Sequence, residues 1–300
     1  MNLQEAHYEA KFEIEFLRKK GDEFQTFFAK LMSIAYKADF MACRPWGKDG
    51  DRKNDGFLKS ERRLFQVYAP YEMDKNKAKA KISEDFEGAK VHWKKHFDSW
   101  VFVHNATGGL PPHVLDLLLA FEDKNPGIKI DPWCLEELKL VFRKLSDDDK
   151  ASWFGPALTE ETRSRVGFAE LKVVLERIAA SPAPHMAEVK DVPSGKLEAN
   201  ALSEAVIRLI KEGWFKSYLV ADFLSKWYDE TLGERLAEAF KTEYQRLRSD
   251  HTPNQVFSEL QSWAGGNLRG SPEHELAVIT VIAYYFERCD IFEEPRGSTT

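Results

Sequence analysis

The chain has 300 residues with 43% hydrophobic and 13% aromatic content, enough for one large or two ordinary cores and too apolar for a disordered polymer. Its net charge of −6 excludes a surface that is basic throughout, and three widely spaced cysteines, Cys43, Cys134 and Cys289, exclude a disulfide framework and a CxxC zinc site. No apolar run reaches the roughly 18 residues of a membrane span, and the N-terminus is too charged for a secretory signal, so a reducing cytoplasm is the expected compartment, with no membrane contact.

Apolar residues recurring at three and four, from Phe12 and Phe16 to Leu31 and Ile34, predict one long amphipathic helix over about 9–39. Phe40 to Arg44 follows as a first strand. A Gly- and Asp-rich loop then carries Asp49, Asp51 and Asp55 and leads into two short alternating segments, Gly56–Lys59 and Arg63–Tyr68, joined at Ser60-Glu61. A helix is expected over about 82–97, and SWVFVHN, residues 99–105, reads as a buried strand ended by Gly108-Gly109. Helix, strand, hairpin, helix and strand make an α/β layer.

From Pro111 the pattern is mainly helical, with IKIDPW as a short added strand. Residues 183–200, rich in proline and poor in apolar side chains, read as a linker. The domains expected are therefore 1–182, 183–200 as linker and 201–300 as a helical unit. In that last unit Leu202, Val206, Leu209 and Ile210 form one stripe, with Gly213 as its stop, and Leu232, Leu236, Phe240, Tyr244 and Leu247 form another. Its final helix is marked by Ser271 as cap and Pro272 in the first turn, followed by residues apolar nearly all round.

Chemistry concentrates before and within the hairpin. A two-residue turn would make facing residue numbers sum to 121, setting Asp55 opposite Gln66 on one face, with Tyr68 two positions on. Asp and Gln offer hard oxygens suited to Mg2+ or Mn2+. Residues 44–96 hold 14 Lys and Arg against 9 Asp and Glu, a local +5 that leaves −11 elsewhere and suits a phosphate backbone. The candidate nucleic-acid contacts are Arg52, Lys53, Lys90 and Lys94. For single lysines such as Lys77, Lys79 and Lys81 a solvated helix face is the simpler account. His92 and His96 stand four apart without a third ligand.

GDRKNDGFLKSERRLFQVYAP resembles the core of restriction-endonuclease-like nucleases, the PD-(D/E)xK superfamily, in the variant whose second acid is Gln. The resemblance implies an N-terminal nuclease domain with a mixed sheet flanked by helices, in which Asp55 and Gln66 hold the metal. An acid on the first helix completes such sites, from Glu13, Glu15 or Glu23, with Glu15 taken as the third ligand. Tyr68 stands where the family has Lys, so Lys53, or a lysine on the Lys90 to Lys95 face, would supply the missing charge. Together with WVFVHNATGGLPP and the terminal SPEHELAVITVIAYYFERCDIFEEP, the chain looks like effectors of prokaryotic three-component ABC systems of the Lamassu type. That likeness implies a Mg2+-dependent DNA endonuclease in antiphage or antiplasmid defence, held in check through its helical domain by an SMC-like ABC ATPase and a middle component. The alternative is a catalytically dead nuclease fold that binds DNA or protein as an adaptor; a homo-oligomer is left open in either case.

Overall fold

The computed structural model describes residues 1–43, 53–71, 74–179, 196–227, 229, 231–265, 271–288 and 291–293. They fall into two compact units, one of Met1–Ile14 and Lys150–Thr300, the other of Glu15–Asp149. The expected linker is outside the described residues from 183 to 195, and from Lys196 it forms a short helix. Residues 1–14 and 150–179, expected in the N-terminal domain, count with the helical unit.

The 9–39 segment is two helices, α1 (Leu3–Arg18) and α2 (Gly21–Tyr36). Gly21 explains the break. Its φ of +49° is left-handed backbone that glycine adopts without strain, and its N–H is drawn 2.7 Å from the carbonyl of Ala69.

The second unit is built on a mixed five-stranded sheet, β1 (Phe40–Ala42), β2 (Gly56–Leu58), β3 (Arg63–Tyr68), β4 (Ser99–His104) and β5 (Lys129–Trp133), in that spatial order. The first three strands are antiparallel and the last two join in parallel. Between them run α3 (Lys75–Trp93) and α4 (Pro112–Lys124), with α5 (Leu135–Arg143) after β5. Gly56 faces Phe65 and Leu58 faces Arg63, the register of sum 121. The connection, however, is four residues rather than two. Arg62 adopts φ +46° and donates its N–H to the Lys59 carbonyl, which opens the outermost pair.

Alternation then sorts the faces. Leu64, Phe57, Trp100, Phe102 and Ile130 share one core with Ile82, Phe86 and Ala89 of α3 and Val114 and Leu118 of α4. On the opposite face Phe65 meets Phe28 of α2 at 5.3 Å and Trp133 at 5.3 Å. The sheet is sandwiched between helix layers, as an α/β domain requires when both faces are apolar.

The helical unit comprises the first residues of α1, then α6 (Asp147–Phe154), α7 (Glu160–Arg165), α8 (Phe168–Ala179), α9 (Lys196–Ala199), α10 (Glu204–Trp214), α11 (Ser217–Lys226), α12 (Leu232–Arg248), α13 (Pro253–Gly265) and α14 (Pro272–Glu287). Ten residues of α14 are buried, from Leu276 to Phe286. Its Ser271 cap forms as expected, the hydroxyl accepting from the His274 N–H. Gly213 is not a stop but lies inside α10. A Cβ there would fall 2.8 Å from Ala283 Cβ and 2.8 Å from the Ile279 carbonyl oxygen, so glycine lets α10 close onto α14. Residues of α1 pack into this unit too: Leu3 and Ala10 lie in its core, and Glu275 accepts from His7 Nε2 at 3.1 Å and Lys11 Nζ at 3.1 Å.

Candidate active site

The end of the hairpin away from its turn brings polar groups inside. Asp55 directly precedes β2; its N–H donates at 2.9 Å to the carbonyl of Phe65, the residue that Gly56 already faces, so the regular ladder ends here. Its carboxylate takes over where the next carbonyl would be, Oδ2 accepting from Val67 N at 2.7 Å, while Oδ1 accepts from Gln25 Nε2 on α2 at 3.1 Å. Asn54, also buried, turns its Oδ1 onto the Gly56 N–H. Both side chains thus seal the strand end.

Gln66 lies on the α3 face, between Leu64 and Tyr68. It is 2% exposed, and its Oε1 has no hydrogen-bond partner among the described residues. A buried carbonyl left without a donor costs about 1–3 kcal/mol. The paired register ends at Gly56 and Phe65 and does not extend to Asp55 and Gln66; the Asp55 carboxylate is engaged from the strand edge and from α2, whereas the Gln66 amide belongs to the α3 side.

A second cluster gathers on that side. Asp85 of α3 is fully buried, with Oδ1 accepting from Lys81 Nζ at 2.8 Å and Lys53 Nζ at 3.2 Å, and Oδ2 lacking a hydrogen-bond partner among the described residues. Burial raises the Asp85 carboxyl above its ordinary value, against the pull of the two lysines. Lys53, at φ +61°, also pairs with Glu84 at 2.5 Å, and this contact above all holds its ammonium protonated. Tyr68 stacks on Phe102 at 6.1 Å; burial first, then the charges of Asp74 and Asp85, push its hydroxyl above 10, so it is a neutral donor at neutral pH.

The remaining candidates scatter. Glu15 pairs with Lys19 at 3.1 Å, Glu23 is exposed, and Glu13 accepts from Asn254 within the helical unit. Lys90 is bound to Asn125 at 3.1 Å and Glu87 at 2.9 Å; Lys94 is exposed at the end of α3, where neighbouring Lys95 offers its carbonyl to Arg62. That places the end of α3 by the hairpin turn, roughly 13 Å along β3 from Gln66. Arg52, Asp49 and Asp51 lie outside the described residues. Among the described residues no group of three or more His, Cys, Asp or Glu could hold a metal ion, which covers the His92 and His96 pair. His104, which ends β4, is a buried neutral imidazole, lowered by desolvation to about 4, with Nδ1 accepting from the Ala106 N–H.

Sequence reasoning misses Gln25 and Asp85 and reads Lys81 as part of a solvated face. Asp85 did leave a signal: it stands among Ile82, Phe86 and Ala89, a charge on the apolar stripe of α3.

Residues 169–293 match the family model for C-terminal domain 10 of the ABC-three component (ABC-3C) systems. The match covers α10 to α14 and nearly all of α8, and it implies partner components of such a system. No curated protein and no solved structure matches the chain. No helix among the described residues is long and apolar enough to cross a membrane.

Proposed function

We propose that the protein is the effector of an ABC-3C defence system, a metal-dependent DNA endonuclease whose helical unit docks on an SMC-like ABC ATPase and a middle component that hold cleavage in check. The observation that carries this reading is Gln66: a buried amide oxygen without a hydrogen-bond partner among the described residues, one strand from a buried aspartate, is an expensive arrangement that a hard cation would satisfy. Asp55 and Gln66 fit Mg2+ or Mn2+ by donor type, but their side chains face opposite sides of the sheet, so one shared ion requires one of them to turn; Glu15, paired with Lys19, remains the proposed helix ligand. When bound, the ion would lower the pKa of a coordinated water toward that of a usable nucleophile.

The protein's own groups do the rest. Lys53 brings a permanent positive charge to the α3 side, and Tyr68 donates a hydrogen bond to developing negative charge. The strand-end bonds of Asp55 fix its carboxylate against rotation. With Mg2+ or Mn2+, alone or with the partner components, wild-type protein should cut DNA and Asp55→Ala should not. Intact DNA under every divalent metal rejects the reading.

A second reading, a catalytically inactive nuclease fold acting as an adaptor, is favoured by Tyr68 at the lysine position and by the engagement of both Asp55 oxygens. Salt-sensitive DNA binding that survives Asp55→Ala, with no cleavage, selects it.

A further inference from the structure

Asp85 organises charge in a way the hairpin residues do not. It has no exposed side-chain surface, yet two ammonium groups meet its Oδ1, Lys81 at 2.8 Å and Lys53 at 3.2 Å. A buried carboxylate is tolerated only with such partners, so the three groups stand or fall together. Exposure of the side chains is graded: Asp85 0%, Lys53 26%, Lys81 39%, Glu84 65%. The buried anion thus lies beneath two ammonium groups that stand nearer the surface. The outward anion among these four is Glu84, held to Lys53 in an open pair that water screens and that is easily exchanged. A phosphate presents several strong acceptor oxygens where Glu84 presents one carboxylate.

The lysine stem is fixed as well. A Cβ on Gly88 would lie 2.6 Å from Lys53 Cγ, so glycine at this point of α3 lets the stem lie flat along the helix.

We propose that Lys53 and Lys81, anchored from beneath by Asp85, form a phosphate-binding cradle for the nucleic-acid backbone, with Glu84 as the counter-ion that phosphate displaces. The cradle deepens the nuclease reading and rests on it for the identity of the ligand.

The test is equilibrium binding of a short labelled DNA duplex to the full-length protein, in metal-free buffer, with inorganic phosphate as competitor. Lys81→Met should weaken binding about tenfold and reduce the dependence of log K on log salt by about one. Glu84→Gln should tighten it about threefold by removing the competitor. Asp85→Asn should weaken it although a negative charge is removed, because both lysines lose their anchor; simple charge counting requires the opposite sign. Tighter binding by Asp85→Asn, unchanged binding by Lys81→Met, or no binding by the wild type overturns the cradle. Should Asp85→Asn fail to fold, the surface changes Lys81→Met and Glu84→Gln decide alone. A duplex bound with these signs and never cut removes the nuclease reading and leaves the cradle standing.

Discussion

The two units bury charge in different ways. In the helical unit Glu275 is matched by His7 and Lys11, Glu212 by Arg163 and Arg208, and Lys196 by the carbonyls of Phe286 and Ile291. Glu212 Oε2 nonetheless makes no hydrogen bond among the described residues and relies on its ion pair with Arg208 at 3.1 Å; in the sheet unit Gln66 Oε1 and Asp85 Oδ2 are as deeply buried and likewise make none. Matched groups serve the fold; unmatched ones weaken it and are retained for another reason. The comparison sets a buried carboxylate that arginines compensate beside a neutral amide oxygen that no hydrogen bond compensates among the described residues.

The largest effect should come from the packed unit. Phe240 is fully buried in α12 and stacks on Tyr285 of α14 at 4.8 Å. Phe240→Ala should cost about 3–5 kcal/mol, read as a lowered denaturation midpoint in guanidinium. A loss under 1 kcal/mol would mean that this core is not close-packed.

Gln66→Leu should act in the opposite direction. Replacing an unsatisfied amide by a side chain of similar volume should stabilise the protein by about 1 kcal/mol while abolishing metal-dependent cleavage. Destabilisation would show that the Gln66 oxygen has a partner, and the contrast between the units would dissolve.

Acid provides a third test, confined to the helical unit. Burial raises the Glu275 carboxyl, but the His7 hydrogen bond and charge, with Lys11, outweigh it and hold the group at about 2 against an ordinary 4.5. Burial also lowers His7 from 6.5. In both cases the unfolded chain takes up protons that the folded chain does not, so stability falls as pH drops, through 6.5 for His7 and between 4.5 and 2 for Glu275. Thermal scans of Glu275→Gln should be flatter than wild type below pH 4.5. Equal slopes would remove the pair from the acid response.

What the sequence made legible follows the same division. The hairpin register, the last strand of the sheet and the Ser271 cap were readable because alternation and capping are local and the residues obey them. Gly213 and Gly21 were misread because one serves a helix contact about 70 residues away and the other breaks a run whose apolar spacing continues across it. The Asp85 cluster was hidden for a related reason: Lys81 meets it within α3 at i,i+4 and there looks like part of a solvated face, while Lys53, ahead of β2, reaches it only once the hairpin segment has folded against α3.

The smallest effects compare one helix cap from each unit. Ser271 Oγ accepts from His274 N at 3.3 Å and Asp74 Oδ1 from Lys77 N at 2.8 Å, so alanine at either position should cost about 1 kcal/mol. The stability cost does not tell them apart, but a second readout does. Asp74 is one of the charges that raise the Tyr68 hydroxyl, so Asp74→Ala should move one tyrosine titration back toward 10 in an ultraviolet pH titration, and Ser271→Ala should move none. If neither variant shifts a tyrosine, the field of Asp74 does not reach the Tyr68 side of the sheet, and the polar cluster there is smaller than drawn. If only Asp74→Ala does, a residue whose sequence role is a cap is also part of the electrostatics around the candidate site.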